Sequence, residues 1–503
     1  MSYLQVDALE RDALQVLSLV RSTKNAFALV NRIPPDVLSL IPNYWEGGNR
    51  DEGLIKLTHV CRGWREFFTS HPLLCTRLDC TNVDKTRVYI DRSKTSPLEI
   101  SLAQTDDTLD WEEAFVLMVP HMGRFRTLSV SGSPAQVLPV LAEHFSCSAP
   151  LLDNLNINLI CAQTPTLPEK LFNGDLSSLH ELGLGGVITS LPWRGLSNLT
   201  TFNLSRVPED QITVTQLLDF FESSAHLRHI LLRDSIPNSS DALTERVVSL
   251  PHLKELGIIA QPRHSILLNH LSLPVGASLR LEFAFSGRGS PVPSYLPNSP
   301  HNLHNVSHIT TTNFHFGLKQ RSVRFNGPSG EFYMVGSWTR GVDNPHAGTF
   351  LQVLHDEFDV SRNRCLAISQ YAFQPRLAQI ETWGIYTTIQ SMEDLRTLTL
   401  TRCNNLPFIL TLNPDKTTSK IVLCPKLKEI ILYIKRPDQF HVNELLSMAK
   451  ERALRGMKLP AITIISTEAL APTKEVFQLR KYVLRVEYKF DDAPPAWDAL
   501  PAA

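Results

Sequence analysis

The chain has 503 residues, 43% hydrophobic and 20% charged, and its 49 basic residues nearly balance 50 acidic ones. This length exceeds a single typical hydrophobic core, so we expect two or more packed units. The balanced charge provides no overall field to attract nucleic acid or an anionic membrane. Eight cysteines without a C-x-x-C pair indicate reduced, mostly buried thiols rather than a disulfide framework.

Targeting signals are not evident in the sequence. The N-terminal residues include Glu10, Arg11 and Asp12 and no long apolar run, so we expect no secretory signal. No stretch of about 18 uninterrupted apolar residues predicts a membrane span. These patterns favour an intracellular protein, cytoplasmic, nuclear or both, with neither a membrane nor a nucleic acid as partner.

The first 70 residues predict three helices. Residues 5–30 predict a helix whose apolar face consists of Leu9, Ala13, Val16, Leu17 and Val20. Pro34 and Pro35 predict the start of a second helix, because proline lacks only an N–H that the first turn leaves unpaired. We expect this helix to end near Pro42, with a loop at residues 47–49.

A third helix is predicted by a stripe of apolar residues with helical period. The stripe consists of Leu54, Leu57, Val60, Cys61, Trp64, Phe67 and Phe68. Helix, loop and helix form a compact module that is too small to be stable alone. A tryptophan on such a face is more often core than interface, but a small module can share one apolar face between its interior and a partner.

Two motifs in this region carry a family resemblance. The run Ile33-Pro34-Pro35-Asp36-Val37-Leu38 matches the start of an F-box, and Val60-Cys61-Arg62-Gly63-Trp64-Arg65 matches its closing Val-Cys-Arg-x-Trp helix. Together with residues 84–93 and the pair Ser96-Pro97, these motifs resemble F-box proteins abundant in mushroom-forming fungi. The resemblance is strong over residues 29–100 and architectural beyond them.

The resemblance implies a partner. F-boxes bind the Skp-type adaptor of SCF-type cullin–RING ubiquitin ligases, and through it a cullin, and they perform no chemistry themselves. By this resemblance, seven residues would pack the F-box and face the adaptor. They are Ile33, Pro34, Val37, Leu38, Ile41, Val60 and Trp64.

From about residue 121 a pattern recurs: apolar, two residues, apolar, one residue, apolar. It occurs at Phe125/Leu128/Val130, Leu152/Leu155/Ile157, Leu179/Leu182/Leu184, Leu199/Phe202/Leu204, Leu227/Ile230/Leu232, Leu253/Leu256/Ile258, Leu395/Leu398/Leu400 and Leu427/Ile430/Leu432. The first six begin 27, 27, 20, 28 and 26 residues apart, which is in or near the range of leucine-rich repeats. Intervening helices are predicted over 135–145, 213–222, 241–249 and 442–455.

These patterns predict an α/β chain: a small all-helical F-box followed by a divergent leucine-rich-repeat-like solenoid with a curved, mainly parallel sheet. The predicted domains are an N-terminal helix (1–28), the F-box (29–80), a connector (81–120), the solenoid (121–490) and a disordered tail (491–503). Segment 284–390 does not follow the pattern: it begins with a Gly/Pro-rich loop and continues with predicted strands near 322–326 and 330–338. The segment is either a large insertion or a set of degenerate repeats. Residues 484–490 predict a last strand covering the solenoid's open end.

Several local patterns suggest other chemistry and are weaker. His301, His304, His308 and His315 have a spacing that could hold a metal ion if they lay on a helix. The prolines before them and the threonines at Thr310–Thr312 favour a loop instead. We therefore expect no metal or cofactor. Gly183–Gly186 fits a repeat turn better than a phosphate loop, and Ser329 lacks a hydrolase elbow. We expect the thiols of Cys61 and Cys75 to be inert rather than catalytic nucleophiles. One local cluster is basic and predicts a solvated helix face: Lys450, Arg452, Arg455 and Lys458.

The sequence therefore predicts a substrate-recognition subunit without catalytic residues. The candidate target-binding residues lie between the apolar positions of the repeats: Asn154, Asn156, Asn203, His229, Arg396 and Thr399. Two alternatives remain open. The chain could be an F-box/repeat interaction scaffold without ubiquitin transfer, or an enzyme built on segment 284–390, which a deep pocket with a strongly shifted titratable group would support.

Overall fold

A computed structural model gives the structure of the chain. It describes residues 3–44, 50–80, 82–103, 111–160, 164–168, 171–189, 196–208, 211–235, 246–260, 267–285, 302–316, 320–338, 358–370, 387–401, 406–416, 422–434, 441–466 and 474–490. Two compact units are present, one of residues 1–181 and 189–191 and the other of residues 182–188 and 192–503. Both combine helices with strands, so the predicted α/β class is confirmed.

The first unit begins with helices. They are α1 (Tyr3–Phe27), α2 (Pro35–Leu38), α3 (Arg50–Thr58), α4 (Arg62–Ser70), α5 (Val83–Ser93), α6 (Trp111–Met118) and α7 (Pro134–His144). Single 3₁₀ turns lie at Leu29–Arg32 and Ile41–Tyr44. Within the described part of the chain, no helix is both long enough and apolar enough to span a bilayer.

The predicted single helix around Trp64 is two helices. The chain turns at residues 59–61 because Val60 N–H bonds back to Leu57 O at 3.3 Å, and Cys61 takes an extended conformation as the N-cap of α4. Arg65 Nε donates to Thr58 O at 3.1 Å, which satisfies a carbonyl at the end of α3. Val60 is consequently exposed rather than part of a buried stripe.

Strands of the first unit form a parallel ladder. The ladder consists of β1 (Arg77–Leu78), β2 (Leu98–Ala103), β3 (Phe125–Gly132) and β4 (Asn154–Leu159), and β5 (Thr166–Leu167) belongs to a separate two-stranded sheet. β1 pairs with β2, β2 with β3 and β3 with β4, all in parallel. The predicted connector 81–120 therefore contains α5, the strand β2 and α6, and the parallel ladder starts before residue 121.

The strand β6 (Glu181–Gly185) starts at the boundary between the units, and β7 (Ile188–Thr189) follows it. The later strands are β8 (Thr201–Ser205), β9 (His229–Arg233), β10 (Val248–Ser249), β11 (Glu255–Ala260), β12 (Leu271–Ser272), β13 (Ser278–Phe285), β14 (Thr311–Phe316), β15 (Gln320–Gly327), β16 (Gly330–Trp338), β17 (Cys365–Gln370), β18 (Thr397–Thr401), β19 (Glu429–Ile434), β20 (Leu459–Ser466) and β21 (Val483–Phe490). The helices are α8 (Val214–Ser223), α9 (Leu406–Leu412), α10 (Val442–Leu454) and α11 (Lys474–Leu479).

All eight recurrences of the apolar pattern are strands, as predicted. The side chains at the last two apolar positions of each pattern are buried on one face of the sheet, as Phe202 and Leu204 are on β8. They share this face because side chains alternate along a strand. Parallel pairs join β8 to β9, β9 to β11, and each strand from β17 to β21 to the next. The helices predicted over 135–145, 213–222 and 442–455 are also confirmed. At the start of α8, the hydroxyl of Thr213 accepts from Gln216 N–H, and Gln216 Oε1 accepts from Thr213 N–H.

The irregular segment places three strands, β16, β15 and β14, between β13 and β17, and β15 and β16 form an antiparallel hairpin. β16 pairs parallel with β13, β15 lies antiparallel to β16 and β14, and β14 pairs parallel with β17. Ser329 in the β15–β16 turn donates its hydroxyl to Asn305 O at 3.1 Å and accepts from His308 N–H at 3.1 Å. The hydroxyl of Ser329 thus holds the turn against the residues before β14.

Two predictions in the second unit are wrong in part. Residues 241–249 do not form one helix, because Val248 and Ser249 pair in parallel with Leu271 and Ser272; residues 241–245 lie outside the described residues. Arg452 is fully buried, so it does not belong to a solvated basic face. Its guanidinium donates from Nη1 to Leu423 O at 2.8 Å and from Nη2 to Cys424 O at 3.0 Å.

Some predicted features fall on parts of the chain that the structure does not describe. They are the loop at 47–49, the Gly/Pro-rich stretch 286–300, His301 and the tail 491–503.

Candidate functional site

The helical module comprises the described residues between 29 and 75. Its interior is formed by apolar side chains of α2, α3, α4 and the turn after α4, which are Leu38, Leu54, Leu57, Trp64, Phe68 and Leu74. The rings of Trp64 and Phe68 meet edge to face with centroids 5.7 Å apart. The module therefore has a small core of its own, built around the tryptophan of the closing motif.

Apolar side chains also point away from this core. Val37 is 52% exposed and Val60 is 54% exposed, and Leu40 and Ile55 are exposed to a similar degree. Val37 and Leu40 are three residues apart and are joined by a bond from Leu40 N–H to Val37 O, so they lie on one side of this turn. We call Val37, Leu40, Ile55 and Val60 the exposed apolar set. Exposed apolar side chains on a small module are candidate partner contacts.

The seven predicted adaptor contacts divide into three groups. Pro34, Val37 and Val60 are exposed, and Ile33 and Ile41 are half-buried. Leu38 and Trp64 are buried in the module, so their part is to hold the exposed residues in place. Leu40 and Ile55 belong to neither motif; the three-residue spacing from Val37 is the sequence signal that points to Leu40.

A cavity of about 600 Å³ separates α1 from the module. Leu14 and Leu17 line it from α1, while Ile33, Leu38 and Trp64 line it from the module. Arg62 Nη2 bridges the two sides by donating to Ser18 Oγ at 3.2 Å. The predicted apolar face of α1 is mainly exposed, since Leu9, Val16 and Val20 are each more than half exposed.

An ion cluster fastens the module to the strands of the first unit. Lys85 on α5 bonds to Asp51 on α3, and also to Asp79 beyond β1 at 2.7 Å. Burial alone would lower the pKa of Lys85, but its hydrogen bonds to Asp51 and Asp79 outweigh burial and raise the pKa. The ammonium group is therefore charged at neutral pH and links three segments.

Replacement of Lys85 by Met is expected to lower the free energy of unfolding by about 1–2 kcal/mol, because Asp51 and Asp79 lose the cation between them. Urea unfolding, followed by hydrogen exchange of α3 and α5 peptides, measures the change. Lys56→Met is the matched control, since the Lys56–Glu52 pair is exposed at 56% on both side chains and such pairs contribute about 0–1 kcal/mol. Equal effects of the two variants would contradict this role of Lys85.

The second candidate surface is the polar face of the strands. In the first unit, Asn156 is exposed on β4, opposite Ser129 of β3. Asn154, two residues earlier, donates its side-chain amide to Glu181. Both predicted residues therefore lie on the face that turns away from Leu155 and Ile157.

In the second unit the predicted target residues fall into two groups. Asn203 on β8 and His229 on β9 are exposed on neighbouring strands, and His229 Nδ1 lies 3.6 Å from Glu255. Arg396 is exposed just before β18, whereas Thr399 on β18 is buried at 8% exposure. Several strands separate the two groups, so they do not form one compact site.

A cluster that sequence reasoning missed lies on the inserted hairpin. Arg280 on β13 and Arg324 on β15 flank the ring of Tyr333 on β16, with guanidinium carbons 5.7 and 5.1 Å from its centroid. Glu282 and Glu331 pair with these arginines, so the cluster has no net charge. The apolar sequence pattern does not indicate it, because Arg280 lies opposite Tyr333 through the parallel pairing of β13 with β16, and Arg324 through the antiparallel pairing of β15 with β16.

The rival motifs show structural roles where they are described. Burial raises the pKa of the Cys75 thiol and raises that of Cys80 to about 12, which disfavours the thiolate form. Burial also lowers the pKa of His315 on β14, whose Nδ1 is 2.8 Å from Ser369 Oγ. Within the described ranges, no three His, Cys, Asp or Glu side chains are arranged to hold a metal ion.

Comparison with protein-family models finds no model that matches the chain, and comparison with curated protein sequences finds no matching relative.

Proposed function

We propose that this chain is the substrate-recognition subunit of an SCF-type cullin–RING ubiquitin ligase. The observation that carries the proposal is the helical module, where the F-box-like motifs bury Leu38 and Trp64 while Val37 and Val60 stay exposed. A module that keeps a core and still presents apolar side chains is suited to a protein partner. That partner is the Skp-type adaptor, and the F-box is residues 29–80.

The strands after the module would form the target-binding part. We interpret the parallel ladder as a divergent leucine-rich-repeat solenoid, because the strands that carry the recurrent apolar pattern each bury two apolar side chains, and β17, β18 and β19 align in parallel. The opposite face carries the polar residues Asn203 and His229, and Arg396 is exposed just before β18. A target protein bound there would contact side chains from several repeats at once.

The mechanism in this proposal is positioning. The F-box holds the adaptor, the adaptor holds the cullin, and the repeats hold the target protein near the enzyme that carries ubiquitin. Proximity raises the effective concentration of target lysines at the ubiquitin thioester, so protein ubiquitination is accelerated without a catalytic residue in this chain.

Co-expression with a Skp-type adaptor tests the F-box. Val37→Asp/Val60→Asp is expected to weaken adaptor binding by about 30-fold or more, because an interface would desolvate two new carboxylates. The matched control is Val116→Asp on α6, since Val116 is 54% exposed, as Val60 is. Co-purification and calorimetric titration of the full chain measure binding.

Adaptor binding that is lost in the double variant and retained in the control supports the proposal. A folded wild-type chain that ignores the adaptor overturns it. Recruitment of a cullin by the adaptor-bound chain then separates a ligase subunit from a scaffold without ubiquitin transfer.

A further inference from the structure

β21 lies at an edge of the sheet in the second unit. β20 pairs with one side of it over residues 483–490, and no strand among the described residues pairs with the other side. Such an edge presents a row of backbone N–H and C=O groups that can form a ladder with another strand. At eight residues, β21 is longer than most strands, which makes this row long.

The two faces of β21 differ in chemistry. Arg485, Glu487 and Lys489 alternate with apolar residues, and Glu487 pairs with both cations, at 3.3 Å from Arg485 Nε and 2.8 Å from Lys489 Nζ. Leu484 is 72% exposed and Phe490 is 55% exposed. Natural edge strands are usually protected by charge or by short length, but here large apolar side chains remain exposed beside the charges.

We propose that β21 pairs antiparallel with β21 of a second copy of this chain, forming a two-fold symmetric dimer. In antiparallel pairing about Val486, Arg485 lies opposite Glu487 of the other copy, twice by symmetry. In pairing about Tyr488, Glu487 lies opposite Lys489, again twice. Only the intermediate register, centred on Glu487, would oppose Arg485 to Lys489.

The two registers that pair opposite charges also place apolar side chains opposite each other. Pairing about Val486 places Leu484 opposite Tyr488, and pairing about Tyr488 places Val486 opposite Phe490. Cross-strand pairs of opposite charge and of apolar side chains each stabilise a sheet. The strand is therefore complementary to its own sequence in both charge and hydrophobicity, and this argues for a second copy as its partner.

The residues that follow β21 in the sequence are a poorer partner for its edge. They include Pro494, Pro495 and Pro501, and proline has no N–H to donate to a ladder. These prolines would therefore interrupt a hydrogen-bond ladder between this part of the chain and β21.

Sedimentation velocity of the full chain over a range of concentrations tests the dimer. The wild type is expected to dimerise, and Glu487→Lys to weaken the dimer by about tenfold or more, because like charges then face each other at two symmetric positions. Arg485→Glu/Lys489→Glu disrupts the same contacts independently, should the first variant fold poorly. Glu393→Lys, with the same change of charge at an exposed turn, is the control.

A charge-swapped variant supplies the decisive comparison. Arg485→Glu/Glu487→Lys/Lys489→Glu restores opposite charges in either register and is expected to dimerise with itself as the wild type does. Circular dichroism verifies that each variant is folded. A monomeric wild type at high concentration, or a dimer that survives both disruptive variants, overturns the proposal.

Discussion

Arg452→Met is expected to lower the free energy of unfolding of the second unit by about 3 kcal/mol. The guanidinium of Arg452 is fully buried beneath α10 and donates to two consecutive carbonyls, Leu423 O and Cys424 O. Methionine fills a similar volume but donates nothing, so both carbonyls lose their charge-assisted bonds. Burial lowers the pKa of Arg452, yet arginine stays charged in proteins, which makes these two bonds strong.

Urea unfolding with hydrogen exchange of α10 peptides measures this loss. Lys450→Met, on the exposed side of the same helix, is the matched control and is expected to change stability by less than about 0.5 kcal/mol. Arg452→Lys keeps the charge but not the two-pronged geometry, so an intermediate loss is expected. An Arg452→Met variant as stable as the control would show that the carbonyls do not depend on this side chain.

Gly330→Ala is expected to destabilise the second unit by about 3 kcal/mol or more. Gly330 begins β16 with φ at +138°, and a Cβ there would lie 2.4 Å from Ala277 O and 3.0 Å from Asn305 Cβ. Alanine would meet both an unfavourable backbone conformation and contacts with atoms that cannot move independently. Because Gly330 joins the hairpin to β13 and to the residues before β14, the strain affects both neighbours.

Thermal unfolding and hydrogen exchange of β13 to β17 peptides test the effect of Gly330→Ala. Gly123→Ala is the control, since a Cβ at Gly123 meets no atom within 4 Å. Ser329→Ala in the same turn loses only the bonds to Asn305 O and from His308 N–H, so a smaller loss of about 1–2 kcal/mol is expected. Equal stability of Gly330→Ala and Gly123→Ala would contradict the strained turn.

The strands were the most predictable part of the fold. Alternation of side chains and a spacing near 27 residues are properties of the sequence itself, so β3, β4, β8 and β9 could be located before the structure was known. β1 has two residues, too few to show alternation. The antiparallel orientation of β15 depends on tertiary pairing, so the pattern at 322–326 predicted a strand but not its direction.

Burial of individual residues was harder to predict. A charged residue on a helix predicts a solvated face, and Arg452 departs from this rule because two carbonyls near β19 accept its bonds. Val60 fits a helical stripe by spacing alone, but the turn between α3 and α4 exposes it. In the candidate site, the motifs identified both Val37 and Trp64. Only the packing of the structure shows that Val37 is exposed and Trp64 is buried.

The three strands inserted between β13 and β17 leave the cross-strand rows of side chains in register. Leu279 of β13 is opposite Phe332, which is followed across the hairpin by Phe325 and Thr312, and the row reaches Leu366 of β17 without a shift. Three added strands widen the sheet by about 14 Å while the flanking strands keep a common register. These three strands are therefore a modular extension: their gain or loss would change the width of the sheet without changing the register of the strands on either side.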